Sequence, residues 1–401
     1  MEEEGGCSSQ KRRPYDPSIT AQWASLQPDL VQHIADCILT TSGVDEYMAM
    51  RAVCPTWRSA VAKPSPHAAV ADLRFRPRQW VLLNEADDDQ GRPLFLNVTT
   101  GRFRRLRRPV LRDYILVGAS DGLLVLGDTD PPHAARLLNP LTGDMLPFAA
   151  PIPREPWAPI PSEPWVDTAV TSSEPTIIFS SQHGSKYLQS GIALYSADPT
   201  GQLRVVKLHD AALKKAGLFY LQSMVTYAGN VYVLSSGGTL CKIVWTGEHW
   251  YAERILDIDM KYIVALVEAT SKLLLVKEQL ETIEVFSIDV ERKLLEPIKS
   301  LGSSALFLSH GNCMVVDADK LPSIKRNCIY STFCTVFSID RIYAWCDLGN
   351  GEKKFLTVSH VPVYCPGTES GIIHEGPLSL AEVLLNPYPK VKDQLDHFRE
   401  T

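Results

Sequence analysis

Between residues 25 and 62 apolar side chains recur at helical spacing, whereas beyond Pro64 they come in short runs broken by polar turns. In the first segment Leu30, Ile34, Cys37 and Ile38 form one stripe, which predicts an amphipathic helix opening at Pro28. Proline at a first helical turn gives up an N–H that the helix does not use, and Asp29 suits the positive end of the dipole. The run Thr40-Thr41-Ser42-Gly43 ends this helix, with Gly43 as a left-handed stop. A second short helix is predicted from about Val44 to Ala52. A third opens at Pro55, with Val53, Trp57 and Val61 spaced four apart.

A unit of about forty residues buries too little apolar surface to stand alone. It contains no metal-ligand spacing, and its two cysteines would not bridge in a reducing compartment. Something must therefore cover it. Either a partner protein does so, or the helices cap the domain that follows.

After Pro64 the helical period gives way to a repeat. Its copies are LFLNVTTGRFRRL, RLLNPLTGDMLPF, ALYSADPTGQLRVVKL, KIVWTGEHWYAERI, VFSIDVERKLLEPI and YAWCDLGNGEKKFL. Each is an apolar strand, a polar turn and a second strand. Gly101, Gly143, Gly201 and Gly247 mark four turns, 42, 58 and 46 residues apart, with Glu291 and Gly351 in the corresponding places of the last two. A further strand pair precedes most hairpins, as in YILVGASDGLLVLGD, MVTYAGNVYVLSS and KYIVALVEATSKLLLVKE. Four strands per unit at this period predict β-propeller blades, about six of them between Arg74 and Val358. A large β-sandwich is the alternative, but it leaves the recurring turn unexplained. The expected fold class is mainly β: three small N-terminal helices, then a propeller.

Composition narrows the setting. The 401 residues are 45% hydrophobic and 21% charged, as in ordinary globular domains, and the net charge of −6 argues against a dedicated nucleic-acid binder. No apolar run approaches a bilayer span, and the opening MEEEGGCSSQKRRPYDPS lacks a secretory h-region. Nine cysteines without a C-x-x-C pair suit reduced thiols, so cytoplasm or nucleus is expected.

Catalytic motifs are missing from the sequence. There is no G-x-S-x-G, P-loop or H-E-x-x-H, and no cofactor or metal is expected. Ser309-His310 and Ser359-His360 are mere sequence neighbours. Asp87-Asp88-Asp89 lacks the alternating ligands of a calcium loop and reads as a solvated turn. Arg102, Arg104, Arg105, Arg107 and Arg108 form either an acidic-partner patch or a charged guard on an edge strand. Residues 147–164 hold seven prolines, which predicts extended backbone excluded from sheet pairing. Trp157 and Trp165, from two Glu-Pro-Trp triplets, are the candidate target-binding residues, with a packed lid as the other reading.

Two resemblances give these modules a meaning. The order Leu26, Pro28-Asp29-Leu30-Val31, Ile34, then Val53-Cys54 and Trp57-Arg58 resembles the F-box, which docks substrate receptors onto the Skp adaptor of cullin-based ubiquitin ligases. Gln27 stands where that pattern has proline, with Pro28 one place later. By this resemblance Leu26, Pro28, Leu30, Val31, Ile34, Val53 and Cys54 meet the adaptor, and Trp57 locks the third helix onto the other two. The run LGSSALFLSHGNCMVVDADKLPSIKRNCIYST, with LLNPLTGDMLP upstream, resembles plant F-box proteins carrying a KIB-type propeller. The implied layout is a disordered lead over 1–19, an F-box over 20–63 and a propeller over 68–401. The implied function is a non-catalytic substrate receptor whose partners are the Skp adaptor, through it a cullin, and a target protein. A ligand-binding or hydrolytic propeller with a purely structural helical cap is the alternative.

Overall fold

The computed structural model describes residues 23–41, 43–64, 70, 72–84, 93–106, 111, 113–153, 167–171, 174–182, 192–201, 203–208, 221–259, 263–269, 272–278, 283–309, 312–332, 343–349, 353–356 and 384. The chain divides into two compact units, Met1–Pro64 and Ser65–Thr401. The first holds three helices packed on one another: α1 Pro28–Thr41, α2 Val44–Ala52 and α3 Pro55–Ala60. Gly43, at φ 88°, makes the left-handed break between α1 and α2.

The second unit is a six-bladed β-propeller. Blade one is β1 (Trp80–Asn84), β2 (Leu94–Asn97) and β3 (Phe103–Arg105). Blade two runs β4 (Tyr114–Ser120), β5 (Leu123–Asp128), β6 (Ala134–Leu138) and β7 (Met145–Pro151). Blade three is β8 (Thr168–Val170), β9 (Ile177–Gln182), β10 (Ile192–Ala197) and β11 (Arg204–Val205). In blade four β12 (Lys207–Leu208) lies outside β16 (Trp250–Asp257), followed inward by β15 (Thr239–Trp245), β14 (Asn230–Ser235) and β13 (Leu221–Tyr227). Blade five is β17 (Ile263–Ala269), β18 (Lys272–Glu278), β19 (Ile283–Asp289) and β20 (Leu294–Ile298).

Blade six departs from the simple meander. Its strands are β21 (Ser304–Ser309), β22 (Asn312–Asp317), β23 (Cys328–Thr332), β24 (Tyr343–Asp347) and β25 (Lys353–Leu356), in the spatial order β22-β21-β23-β24-β25. The chain enters at the second position, folds back as innermost β22, then crosses to lay β23 parallel to β21. Among the described residues the uniform count of four strands per blade therefore gives way to three in the first and five in the fourth and sixth.

The strand runs follow from where each strand sits. β2, β5, β14 and β18 are flanked by strands and covered on both faces, so they read as continuous apolar runs such as LLVLG. The outermost β11 and β20 keep mostly exposed side chains. Separate apolar cores fill each gap between neighbouring blades. Trp80, Leu82 and Phe95 meet Leu124, Leu126 and Leu138 between blades one and two. Leu83, Leu94 and Leu96 meet Phe307, Met314 and Tyr330 between blades one and six, which closes the ring, and Leu384 is buried in the same cluster.

The hairpin turns rest on a side chain as much as on glycine. Asn97 Oδ1 accepts from the backbone N–H groups of Thr99 and Thr100, and Asn139 Oδ1 from those of Leu141 and Thr142. Asp198, Asp289 and Asp347 accept in the same way in blades three, five and six. Each is a short acceptor that holds its own turn two or three residues on. Four residues past Asn97 and Asn139, Gly101 and Gly143 take left-handed φ of 69° and 81°. In blade five that position is Lys293, at φ 57°, so Glu291 is not the equivalent of the turn glycines. Gly201 is not left-handed either. A Cβ there would come within 2.4 Å of the Asp198 carboxylate, and close approach explains it.

The proline-rich segment also differs from expectation. Its first part is β7, in which Pro147 pairs with Arg136 and Pro151 with Ala134 across a bulge. β7 is the outermost strand of its blade and needs partners along one edge only, so prolines are tolerated there. Residues 154–166, with Trp157 and Trp165, lie outside the described residues.

Candidate functional site

The helical unit hides some apolar side chains and displays others. Val31 and Ala35 of α1, Val44, Tyr47 and Met50 of α2, and Val61 are buried. Val31 thus belongs to the interior, although the resemblance placed it among surface contacts. Leu30 is 53% exposed and Ile34 half-buried, so α1 carries two parallel stripes, one turned in and one turned out. Val53 is 64% exposed, Pro28 is exposed, and Leu26 and Cys54 are half-buried. Among the described residues, four of nine exposed large apolar side chains (Trp23, Leu30, Met48 and Val53) fall in this small unit. Its outside is unusually apolar for its size.

Polar contacts fix the loop that carries these residues. The Cys54 sulfur accepts from the Trp57 backbone N–H at 3.5 Å and caps α3, with Pro55 behind it. Trp57 is half-buried, and its Nε1 donates to the Trp23 carbonyl at 3.0 Å, so it ties α3 to the segment before α1. Sequence reading missed two further residues. The buried Arg51 guanidinium donates to the carbonyls of Val61 and Ala62, and the Tyr47 hydroxyl donates to Ala62 at 2.7 Å. Together they hold the end of the unit against α2. The only signal was a charged residue near the end of a helix, which usually reads as solvated.

Among the described residues the propeller contains one buried charge cluster. Asp121 sits at φ 55° in the tight turn between β4 and β5. Its Oδ2 accepts from Arg76 Nη1 at 2.5 Å, and both side chains are fully buried. Arg76 also donates to the carbonyls of Val70 and Thr171, which joins blades two and three. Arg78 Nε lies 2.6 Å from Asp121 Oδ1 without the alignment of a hydrogen bond, so that contact is ionic. Nearby, the Ser120 and Thr226 hydroxyls are 2.9 Å apart and both accept from the Val170 N–H. This network pins the inner strands β4, β8 and β13 to each other. It has no nucleophile beside a base.

Glu268, near the end of inner strand β17, is the titratable member. Burial, and then the negative charge of Asp121, push its carboxyl up from 4.5 to about 7, partly opposed by Arg78. The folded state therefore holds this proton more tightly than the unfolded chain. Its contribution to stability is intact at low pH and declines as pH rises from 4.5 toward about 7. Glu268→Gln should melt like wild type near about pH 4 and be more stable by on the order of 2 kcal/mol near about pH 8. Thermal unfolding at both values checks this, and equal stability at the higher pH would count against it.

The other sequence candidates fall as follows. Among the described residues β3 is the outer edge of blade one, and Arg104 on it and Arg102 just before it are exposed, which fits a charge-guarded edge. Asp87-Asp88-Asp89, Arg107, Arg108, His310, Ser359 and His360 lie outside the described residues. Among the described residues no three His, Cys, Asp or Glu side chains converge on a metal position. No helix among them is long and apolar enough to cross a membrane.

Solved structures resemble the chain at low identity. The Cps50 (Swd1) β-propeller domain of Myceliophteria thermophila is 13% identical, with 70% of this chain and 83% of that one aligned and a TM-score of 0.34. YCF48 bound to D1 peptide is 9% identical over 69% and 79%, with a TM-score of 0.30. A prolyl endopeptidase is 13% identical over 79% of this chain and 56% of that one, again with a TM-score of 0.30. Identities this low decide nothing about activity. No curated protein matches the chain. A model of the KIB1-4 beta-propeller, a domain that fits a protein-interaction role, does match, over residues 95–361. Those residues span blade one from within β2 through blade six, and the chain belongs to the KIB1-4 beta-propeller family.

Proposed function

We propose that this protein is the target-binding subunit of a Skp–cullin–F-box ubiquitin ligase, with the helical unit docking the Skp adaptor and the propeller holding the protein to be modified. The observation that carries this reading is the second apolar stripe of α1. A helix that merely closed a small core would need Val31 and Ala35 alone. Leu30, Ile34 and the neighbouring Val53 instead remain open to a partner. Burying an apolar side chain of that size contributes roughly 1.5–3 kcal/mol, which an interface can recover and solvent cannot.

In this reading the subunit is not an enzyme, needs no cofactor and works in the cytoplasm or nucleus. Catalysis belongs to other subunits, reached through a cullin. Trp157 and Trp165 are candidate target contacts because tryptophan is enriched among binding hot spots. The test is capture of the Skp adaptor by the full chain and by Leu30→Ala/Val53→Ala. Both side chains are exposed, so the variant should keep its melting temperature while adaptor affinity falls by at least about tenfold. Undiminished capture by a well-folded double variant would remove the adaptor reading.

A further inference from the structure

The outer rim between blades three and four has a feature that neither adaptor docking nor the propeller core accounts for. Leu203–Leu208 straddles the two blades: β11 closes the outside of blade three and β12 that of blade four. Val206, between them, is buried and fastens the strap. The residues on either side of it therefore face out. Arg204 and Lys207 are exposed, and Val205 is 60% exposed.

Beside the strap rises the β15–β16 hairpin. Its closing pair, Trp245 and Trp250, have ring centroids 5.4 Å apart and planes tilted by 44°. Trp250 packs toward the core, but Trp245 is 43% exposed. The Arg204 guanidinium lies over its face, 6.0 Å from the ring centroid. Arg74, Arg76, Arg78, Arg136, Arg254, Arg292 and Arg326 all pair with carboxylates. Neither Arg204 nor Lys207 does so among the described residues. The rim thus combines an indole face, an aliphatic side chain and two cations that pair with no carboxylate among the described residues, on a protein whose net charge is −6.

We propose that this rim docks an acidic segment of a partner protein, one apolar side chain resting on Trp245 and Val205 and a neighbouring carboxylate engaging Arg204 and Lys207. Charge complementarity selects the occupant. A guanidinium already held over an indole face can turn its N–H groups to a carboxylate with little further loss of freedom. Trp and Arg together are the residue types that carry most binding energy in protein interfaces. That the partner is the protein to be ubiquitinated rests on the receptor reading above. Recognition of an acidic segment does not.

The two are separable by experiment. A random dodecapeptide display library is selected on the intact chain, and the enriched peptides are titrated by fluorescence anisotropy. The expected peptides carry Asp or Glu beside Leu, Ile, Phe or Pro. Their affinity should fall at least tenfold in Arg204→Glu and in Trp245→Ala, weaken with salt, and stay unchanged in Leu294→Ala on another blade. Arg204→Glu alters an exposed side chain, so it remains informative if Trp245→Ala folds poorly. Enriched peptides without acidic residues, or unaltered affinity in Arg204→Glu, overturn the proposal. Tighter binding of a single-stranded oligonucleotide than of any peptide, lost in the same variants, overturns it too. Adaptor capture is unaffected by any of these outcomes.

Discussion

Asp121→Ala should destabilise the propeller by about 3–5 kcal/mol, read as a large drop in the urea midpoint. The cause is the charge left behind. Arg76 is fully buried, and without Asp121 its guanidinium keeps only the carbonyls of Val70 and Thr171, which accept hydrogen bonds but do not neutralise it. Water cannot reach it to compensate. The damage spreads because the same arginine joins blades two and three. A second substitution separates this explanation from simple loss of packing. Arg76→Met combined with Asp121→Leu removes both charges and should cost less than Asp121→Ala alone. A loss below about 1 kcal/mol in the single variant would mean that the pair contributes little.

Gly101→Ala should cost about 3 kcal/mol and act where the ring closes. Gly101 sits at φ 69°, which already disfavours any side chain. A Cβ there would also stand 2.4 Å from the Lys320 carbonyl oxygen, a backbone atom that cannot swing aside. That contact lies between the turn of blade one and the 3-10 turn Ala318–Lys320 of blade six. The two blades also share a backbone hydrogen bond, Asp317 N–H to the Val98 carbonyl at 2.9 Å. Alanine should therefore loosen this junction first, seen as faster hydrogen exchange at Asp317 than at β14 or β18. Uniform exchange across all blades would show that closure is not the weak point.

The legible and illegible parts of the molecule differ by the range of the interactions that made them. Strands flanked on both sides needed unbroken apolar runs, so β5, β14 and β18 stood out along the chain. The six hairpins were visible because each turn is local. Even so, glycine drew attention away from the steadier residue. An Asn or Asp begins five of the six turns, and recognising it would have placed the left-handed position at Lys293. The end of edge strand β7 was lost for the opposite reason, since an outer strand can hold prolines that a central one cannot. In α1 apolar residues stand at both 30/34 and 31/35. Periodicity alone therefore did not tell the inward stripe from the outward one, and Val31, named through the resemblance, is buried. Arg76 and Asp121 are 45 residues apart, and Arg204 is 41 from Trp245. No local pattern records such pairs, so the charge cluster and the rim emerge only once the blades are in place.

The core between the first and last blades sets a timetable for synthesis. Leu83 packs in one cluster with Phe307, roughly 220 residues further along. At roughly 5–20 residues per second, a ribosome needs roughly 10–45 s to supply that partner after blade one emerges. Throughout that interval the apolar side of Leu83, Leu94 and Leu96 has no sixth blade to meet. Five blades can stack in order as they appear, each on its predecessor, but the first must wait for the last. Cells making this protein should therefore show chaperone occupancy that begins at blade one and ends only once residues 304–332 have left the exit tunnel.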